Sequence, residues 1–397
     1  MADFKSKLER FFERVESSAD RFSLKRRQKR NYNNALKIVP FFGYGTREKI
    51  RIRGRVVEDE GEIISSETDS VWRNIKNMYR RFETDEIPFA RVKAIFQNRE
   101  IETAADDEGY FTAEFSSVEN LPENLWQEIG FELLEPVSLT NPQTFAIGQI
   151  LTAPASAKFG VISDIDDTII TTNVVNRLKM LITTIAANEH TRVPFEGVSA
   201  FYKALQKGVS GSESNPIFYV SSSPWNLYGF LIEFMRKNEI PFGSIFLKDF
   251  GSHTIFHGGD HQTHKLENIR HIMETFRNLP FVLIGDSGEQ DPEIYRKIIE
   301  EFPNRIRAVY IRDVNPNPLR IEAIGKLITE VSETGSELVF AKDSEFAARH
   351  AAEINLISPD ELPNIRTKRK IDEAAPTAEE IVDETLNNPE SPAITNE

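Results

Sequence analysis

The stretch Phe159-Gly-Val-Ile-Ser-Asp164-Ile-Asp166-Asp167-Thr168 decides how this chain is read. Its first part, Phe159 to Ile165, has the length and bulk of a short strand buried on both faces. At its end stand Asp164, Asp166 and Asp167, three carboxylates within four positions. At the end of a buried strand such groups repel one another and lose hydration, which pushes at least one toward protonation unless a divalent cation or another ligand compensates. A solvated turn or helix cap is the ordinary alternative for an Asp cluster, and the apolar run in front weighs against it. An EF-hand loop does not fit, because Ile169 stands where that turn needs Gly and Val175 where a bidentate Glu is needed.

Working outward, the same texture recurs. Short apolar runs at Ile217 to Val220, Ile245 to Leu247, Phe281 to Ile284, Ile306 to Ile311 and Leu338 to Ala341 are separated by segments with helical spacing. Strands that alternate with helices imply crossovers, hence a mainly parallel sheet with helices on both faces, a doubly wound α/β arrangement. In such sheets ligands bind beyond the carboxyl ends of the strands, which directs attention to the residues after each run. After Val220 come Ser221-Ser222-Ser223-Pro224-Trp225-Asn226, whose hydroxyls and helix N-terminal amides suit an oxyanion and equally suit a plain helix cap. After Ile284 come Gly285-Asp286-Ser287-Gly288-Glu289-Gln290-Asp291, which add an acidic group, two tight-turn glycines and a second Asp at a helix start. Lys265 heads the helix before that strand, where it is either a surface charge or the neutralising cation of the cleft.

The rest of the chain has different textures. Residues 1–35 hold Phe4, Leu8, Phe11, Phe12 and Val15 at helical spacing, then the basic run Lys25 to Arg30. This amphipathic helix and basic segment either meets acidic lipid, a peripheral membrane contact through residues 1–30, or packs within the protein. Residues 36–157 alternate apolar and polar positions, as in Ile50, Ile52 and Val56 or Val92, Ala94 and Phe96, between Asn, Asp, Gly and Pro turns. They predict an antiparallel β-sandwich-like domain with a helical insertion around Val71 to Phe82 and no grouping of catalytic residue types. Residues 158–357 form the α/β unit, with no room for a large cap domain between Thr168 and Ile217. The tail, 358–397, is rich in Pro, Glu, Asp, Asn and Thr and is expected to be disordered.

Composition excludes several functions. With 62 acidic against 48 basic residues the net charge is -14, which opposes nucleic-acid binding. The chain has no cysteine, so disulfides, thiol catalysis and cysteine-ligated metals are ruled out. No apolar run approaches the roughly 18 residues of a membrane span, and the charged N-terminal segment does not resemble a secretion signal, so a cytoplasmic location is expected. His253, His257, His261 and His264 suggest a second metal site, but Gly258-Gly259 breaks helical presentation and no carboxylates accompany them, so loop residues flanking Lys265 are the expectation.

Taken together, Asp164-x-Asp166-x-Thr168, Ser221, Lys265 and the pair Asp286 and Asp291 resemble, in order, the four signature motifs of haloacid dehalogenase superfamily phosphatases. The segments DIDDTI, YVSSSPWNLY and FVLIGDSGEQDPEIY are similar to the catalytic domain of the actin-patch-associated phosphatidate phosphatases and their bacterial relatives, over roughly residues 158 to 357. The resemblance implies a haloacid dehalogenase-like, doubly wound fold and a Mg²⁺-dependent phosphomonoesterase, with phosphatidate as substrate. It implies that Asp164 is the nucleophile and Asp166 the general acid and base. It further implies that Asp164, Asp166 through its carbonyl, and Asp286 hold Mg²⁺, that Ser221, Ser222 and Lys265 hold phosphate oxygens, and that Thr168 and Asp291 support them. The alternatives are a phosphatase for soluble phosphate esters or phosphoproteins, and an inactive scaffold that docks membranes or partners.

Overall fold

The computed structural model describes residues 34–59, 86–119, 121–165, 196–248, 261–314, 317–332 and 334–374. The expected N-terminal helix with its basic run and the insertion around Val71 to Phe82 lie outside these residues.

Alternation in the first half produces eight strands: β1 (Ala35–Pro40), β2 (Gly43–Gly45), β3 (Lys49–Asp59), β4 (Arg91–Phe96), β5 (Arg99–Ala104), β6 (Tyr110–Ser116), β7 (Trp126–Glu135) and β8 (Phe145–Leu151). They run in the order β1-β3-β2-β8-β7-β4-β5, with β6 also paired to β3. In β3, Ile50 and Ile52 point into the core while Arg51 lies exposed between them, the period-2 pattern of a half-buried strand. The halves of this sheet face each other, since the Phe111 ring lies 5.4 Å from Phe131 and Phe96 lies 5.8 Å from Phe115. Gly54 is required there, because a Cβ at that position would lie 2.5 Å from the Phe111 ring. The expected antiparallel arrangement has one exception: short β2 pairs in parallel with β8, through Gly43 with Ile150 and Tyr44 with Leu151. β2 therefore joins the two halves into one folded-over sheet, a pairing that no local alternation encodes.

The second half is a sheet of six strands: β9 (Gly160–Asp164), β10 (Ile217–Pro224), β11 (Ser244–Lys248), β12 (Phe281–Asp286), β13 (Ile306–Arg312) and β14 (Glu337–Ala341). Their order is β11-β10-β9-β12-β13-β14 and every pairing is parallel. Among the described residues seven helices accompany them: α1 (Val198–Lys207), α2 (Tyr228–Lys237), α3 (His261–Thr275), α4 (Asp291–Glu301), α5 (Pro318–Ser332), α6 (Ser344–Glu353) and α7 (Leu362–Ala374). Alternate strand residues serve different faces. Val161, Tyr219 and Val282 share a core with Phe201 of α1, Phe234 of α2 and Ile365 of α7, whereas Ile162, Phe218 and Leu283 share one with Ile269 of α3, Ile298 of α4 and Ile324 of α5. Burial on both faces explains why these strands read as continuous apolar runs. The chain moves from β9 to β10 and β11 on one side, then returns to place β12 on the other. The ends of β9 and β12 thus flank the point where the winding reverses, the place where parallel sheets leave a crevice for ligands.

The C-terminal segment corrects one expectation. Where the sequence points to disorder from residue 358, the chain forms a short 3₁₀ turn, Pro359–Glu361, and then α7. Ile365 is completely buried, the Asp372 carboxylate accepts the Gly197 N–H at 2.8 Å, and Arg366 Nε donates to Glu345 at 2.9 Å. The few apolar residues of this helix offset its ordering entropy only because α1 and α6 supply a surface, which its own composition does not reveal. Residues 375–397 lie outside the described residues. Among the described residues no helix is long and apolar enough to cross a membrane.

Candidate active site

Three chain segments converge at the β9–β12 crevice. Asp164 closes β9, and its side chain is only 3% exposed. α3 places the ammonium of Lys265, a residue 3% exposed, 2.9 Å from Asp164 Oδ1. The same ammonium lies 2.8 Å from Glu289 Oε2 and 3.0 Å from Asp291 Oδ1. Lys265 is therefore no surface charge; it sits among three carboxylates, a geometry that makes a buried cation tolerable.

The loop after β12 is held by its own acidic groups. Asp286 Oδ1 accepts the N–H of Gly288 at 2.6 Å and of Glu289 at 3.0 Å, while Asp291 Oδ2 accepts the Asp286 N–H at 3.2 Å. Gly285 makes this closure possible, since a Cβ there would lie 2.4 Å from Asp291 Oδ2. Burial pushes the Asp291 carboxyl above the usual carboxylate range, against the opposing pull of Lys265. Asp291 thus contacts both Lys265 and the strand end.

Oxygen atoms of Asp164, Asp286 and Asp291 lie within 4.8 Å of one another. Together with Glu289 they outnumber the Lys265 charge, so the crevice has a surplus of hard oxygen donors. Such a donor set fits Mg²⁺, which binds carboxylate oxygen and water. Asp291 spends one oxygen on Lys265 and the other on the Asp286 amide.

Ser221 and Ser222 stand on the adjacent strand. Val220 of β10 is in register with Asp164, so both serines lie just beyond the nucleophile candidate at the same sheet edge. Both are buried, and Ser221 Oγ accepts the Ser223 N–H at 3.0 Å, curling the strand end. Behind Asp164, the Ser163 hydroxyl bonds Tyr202 Oη at 2.6 Å, and burial pushes the Tyr202 phenol up to about 12. Tyr202, Tyr219 and Arg312 line the cleft together with Asp164 and Asp286.

Asp166, Thr168, His253 and His257 lie outside the described residues, as does the side chain of His261. His264 lies beside the Asn268 amide, with its Nε2 at 3.1 Å from Nδ2. Two residues of the crevice had no role in the sequence reading. Glu289 stands two positions before Asp291 in the motif itself, where its charge was the available signal. Arg312 ends β13 in register with Asp286, a placement that needs the strand order.

Residues 159–313 match the family described as Phosphatidate phosphatase APP1, catalytic domain. The chain is 32% identical over 181 residues to Phosphatidate phosphatase APP1 of Saccharomyces cerevisiae, an alignment spanning 45% of this chain and 28% of the yeast protein. It is 33% identical over 156 residues to an uncharacterized protein of Schizosaccharomyces pombe, spanning 39% of this chain and 25% of that one. The chain therefore spans about a quarter of the length of the curated relatives it matches. Among solved structures, a Bifidobacterium dentium β-glucuronidase aligns over 81% of this chain and 58% of that one with 11% identity and a TM-score of 0.26, too low to carry an argument. Residues 159–313, which contain Asp164, Lys265, Asp286 and Asp291, are thus related to the catalytic domain of phosphatidate phosphatase APP1.

Proposed function

We propose that this protein is a Mg²⁺-dependent phosphomonoesterase that converts phosphatidate to diacylglycerol and phosphate through an aspartyl-phosphate on Asp164. The observation that carries this reading is the buried Lys265–Asp164 contact of 2.9 Å at the strand-end crevice. It places a nucleophile candidate beside a cation suited to phosphate within the segment similar to the yeast enzyme. The strand order and the position of the crevice support a haloacid dehalogenase-like core.

A carboxylate oxygen of Asp164 attacks phosphorus while the ester P–O bond breaks on the opposite side. Asp166, two residues further along the chain, gives its proton to the departing alkoxide, so that diacylglycerol leaves neutral. Water then attacks phosphorus, Asp166 takes its proton, and the bond to Asp164 breaks to release phosphate. Lys265 and the Ser221 and Ser222 hydroxyls hold phosphoryl oxygens as charge shifts onto them. Asp291 and Glu289 keep the Lys265 ammonium in place, and Thr168 is assigned a supporting role beside them. Mg²⁺, held by Asp164, Asp286 and the main-chain carbonyl of Asp166, would supply charge neutralisation to the phosphoryl group.

A cytoplasmic enzyme acting on a lipid needs reversible contact with a surface, and residues 1–30 are proposed to supply it. The test is phosphate release from mixed micelles of phosphatidate against a panel of soluble phosphate esters and phosphopeptides. Preference for phosphatidate supports the proposal; preference for a soluble ester moves the substrate to the phosphate-ester or phosphoprotein class, and release from none leaves a scaffold. Deleting residues 1–30 should lower turnover on phosphatidate vesicles and spare a soluble ester.

A further inference from the structure

The strand end that carries Ser221 and Ser222 is gripped by the antiparallel sheet. Trp225, directly after Ser221-Ser222-Ser223-Pro224, forms a 3₁₀ turn and stacks on Phe41 with ring centroids 5.1 Å apart and planes 13° from parallel. Over Trp225 lies the Arg53 guanidinium of β3, 4.8 Å from the ring centroid, and the same guanidinium lies 4.6 Å from the Tyr110 ring of β6. One arginine thus bridges an aromatic ring of the antiparallel sheet and the tryptophan that ends the serine strand. The docking beneath is firm, with the Phe42 N–H donating to buried Tyr228 Oη at 2.6 Å, and Phe41 lying 4.3 Å from the Tyr228 ring.

We infer that Arg53 is a positioning residue for phosphate binding: by clamping Trp225 it sets the path of the Ser221–Ser222 strand end, so the antiparallel sheet takes part in recognising the phosphoryl group. The inference rests on the proposed phosphatase reading. Its physical basis is that the Ser221 and Ser222 hydroxyls contribute to phosphate binding only at correct distance, and their strand is fastened at its far end by side-chain stacking. A planar guanidinium between two rings suits this role, since it combines cation–π attraction with stacking that a lysine ammonium does not reproduce. Arg55 provides an internal comparison, because it lies 4.7 Å over the Tyr110 ring but not over Trp225.

The experiment uses the full chain, a soluble aryl phosphate as substrate, and inorganic phosphate as competitive inhibitor. Arg53→Met is expected to raise KM and the phosphate inhibition constant together by about fivefold with kcat within about twofold, within the range of a partly desolvated cation–π contact. Arg53→Lys should fall between wild type and Arg53→Met, Arg55→Met should match wild type, and all should melt near the wild-type temperature. If Arg53→Met fails to fold, Arg53→Lys decides: a raised KM at unchanged melting temperature supports the clamp. Unchanged KM and phosphate inhibition in a folded Arg53 variant overturn it while leaving the phosphatase reading intact, as does an equal rise in Arg55→Met. A wild type that neither hydrolyses phosphomonoesters nor binds phosphate overturns both.

Discussion

The Lys265 ammonium and the Asp164 carboxylate meet 2.9 Å apart, with side chains only 4% and 3% exposed, although one lies on a helix and the other at a strand end. Burying both is costly unless each supports the other, and Lys265 also meets Glu289 and Asp291, so a single cation stands among three carboxylates. The arrangement leaves an acidic carboxylate facing the crevice beside a fixed positive charge.

Asp164→Asn should abolish turnover with the fold intact, because the amide keeps the shape and removes the nucleophile. Asp166→Asn should slow esters with poor alkoxide leaving groups by about 10²- to 10⁴-fold and activated aryl phosphates far less, since only the former need a proton in the first step. Steady-state rates over a leaving-group series check this; equal losses across it would reject the acid role of Asp166.

Lys265→Met should remove phosphate affinity and also destabilise the protein by about 3–5 kcal/mol, the cost of leaving buried carboxylates without their cation. Adding Asp291→Asn to Lys265→Met should recover part of the stability and none of the activity. Chemical denaturation of the single and double variants measures both effects, and a stable Lys265→Met would show that the carboxylates compensate otherwise.

Mg²⁺ should raise the melting temperature of the wild-type protein, by a free energy of about 2.7 kcal/mol at one hundred times its dissociation constant. In Asp286→Asn the shift should shrink sharply, whereas a chelator should return the wild type to its metal-free melting point and stop turnover. An undiminished Mg²⁺ shift in Asp286→Asn would remove that residue from the metal site.

Acid should weaken the joint between the two sheets through His271. Tyr44 Oη lies 2.7 Å from His271 Nε2, and the imidazole is held below its ordinary 6.5, first by burial and then by Arg51, with Lys49 adding to the same effect and Glu274 and Glu114 opposing it. A depressed folded value means the unfolded chain binds the proton more readily. The stability contributed is therefore complete above about 6.5 and is lost as pH falls through the lower folded value. Melting temperatures measured from pH 8 down to pH 5 should decline less in His271→Asn than in wild type, and parallel declines would show that other groups dominate.

The α/β half was legible because local patterns carry it. Continuous apolar runs mark strands buried on both faces, and polar residues concentrated after Ser163, Val220 and Ile284 mark one end of a parallel sheet. Asp164, Asp286 and Asp291 were found that way, and the order of motifs supplied their expected roles. What local patterns do not carry is which groups meet. That Lys265 serves three carboxylates, that Glu289 is one of them, and that Arg312 stands in register with Asp286 all follow from crossovers that bring distant segments to the same edge. The helix Leu362–Ala374 has no clear signature in its own sequence because its few apolar residues gain burial only against α1 and α6. The parallel pairing of Gly43–Gly45 with β8, and the hold of Phe41 and Arg53 on Trp225, have no signature in either segment alone. Periodicity records which side of an element is buried, whereas ion pairing, strand neighbours and ring stacking depend on the partner surface, which exists only once the chain has folded.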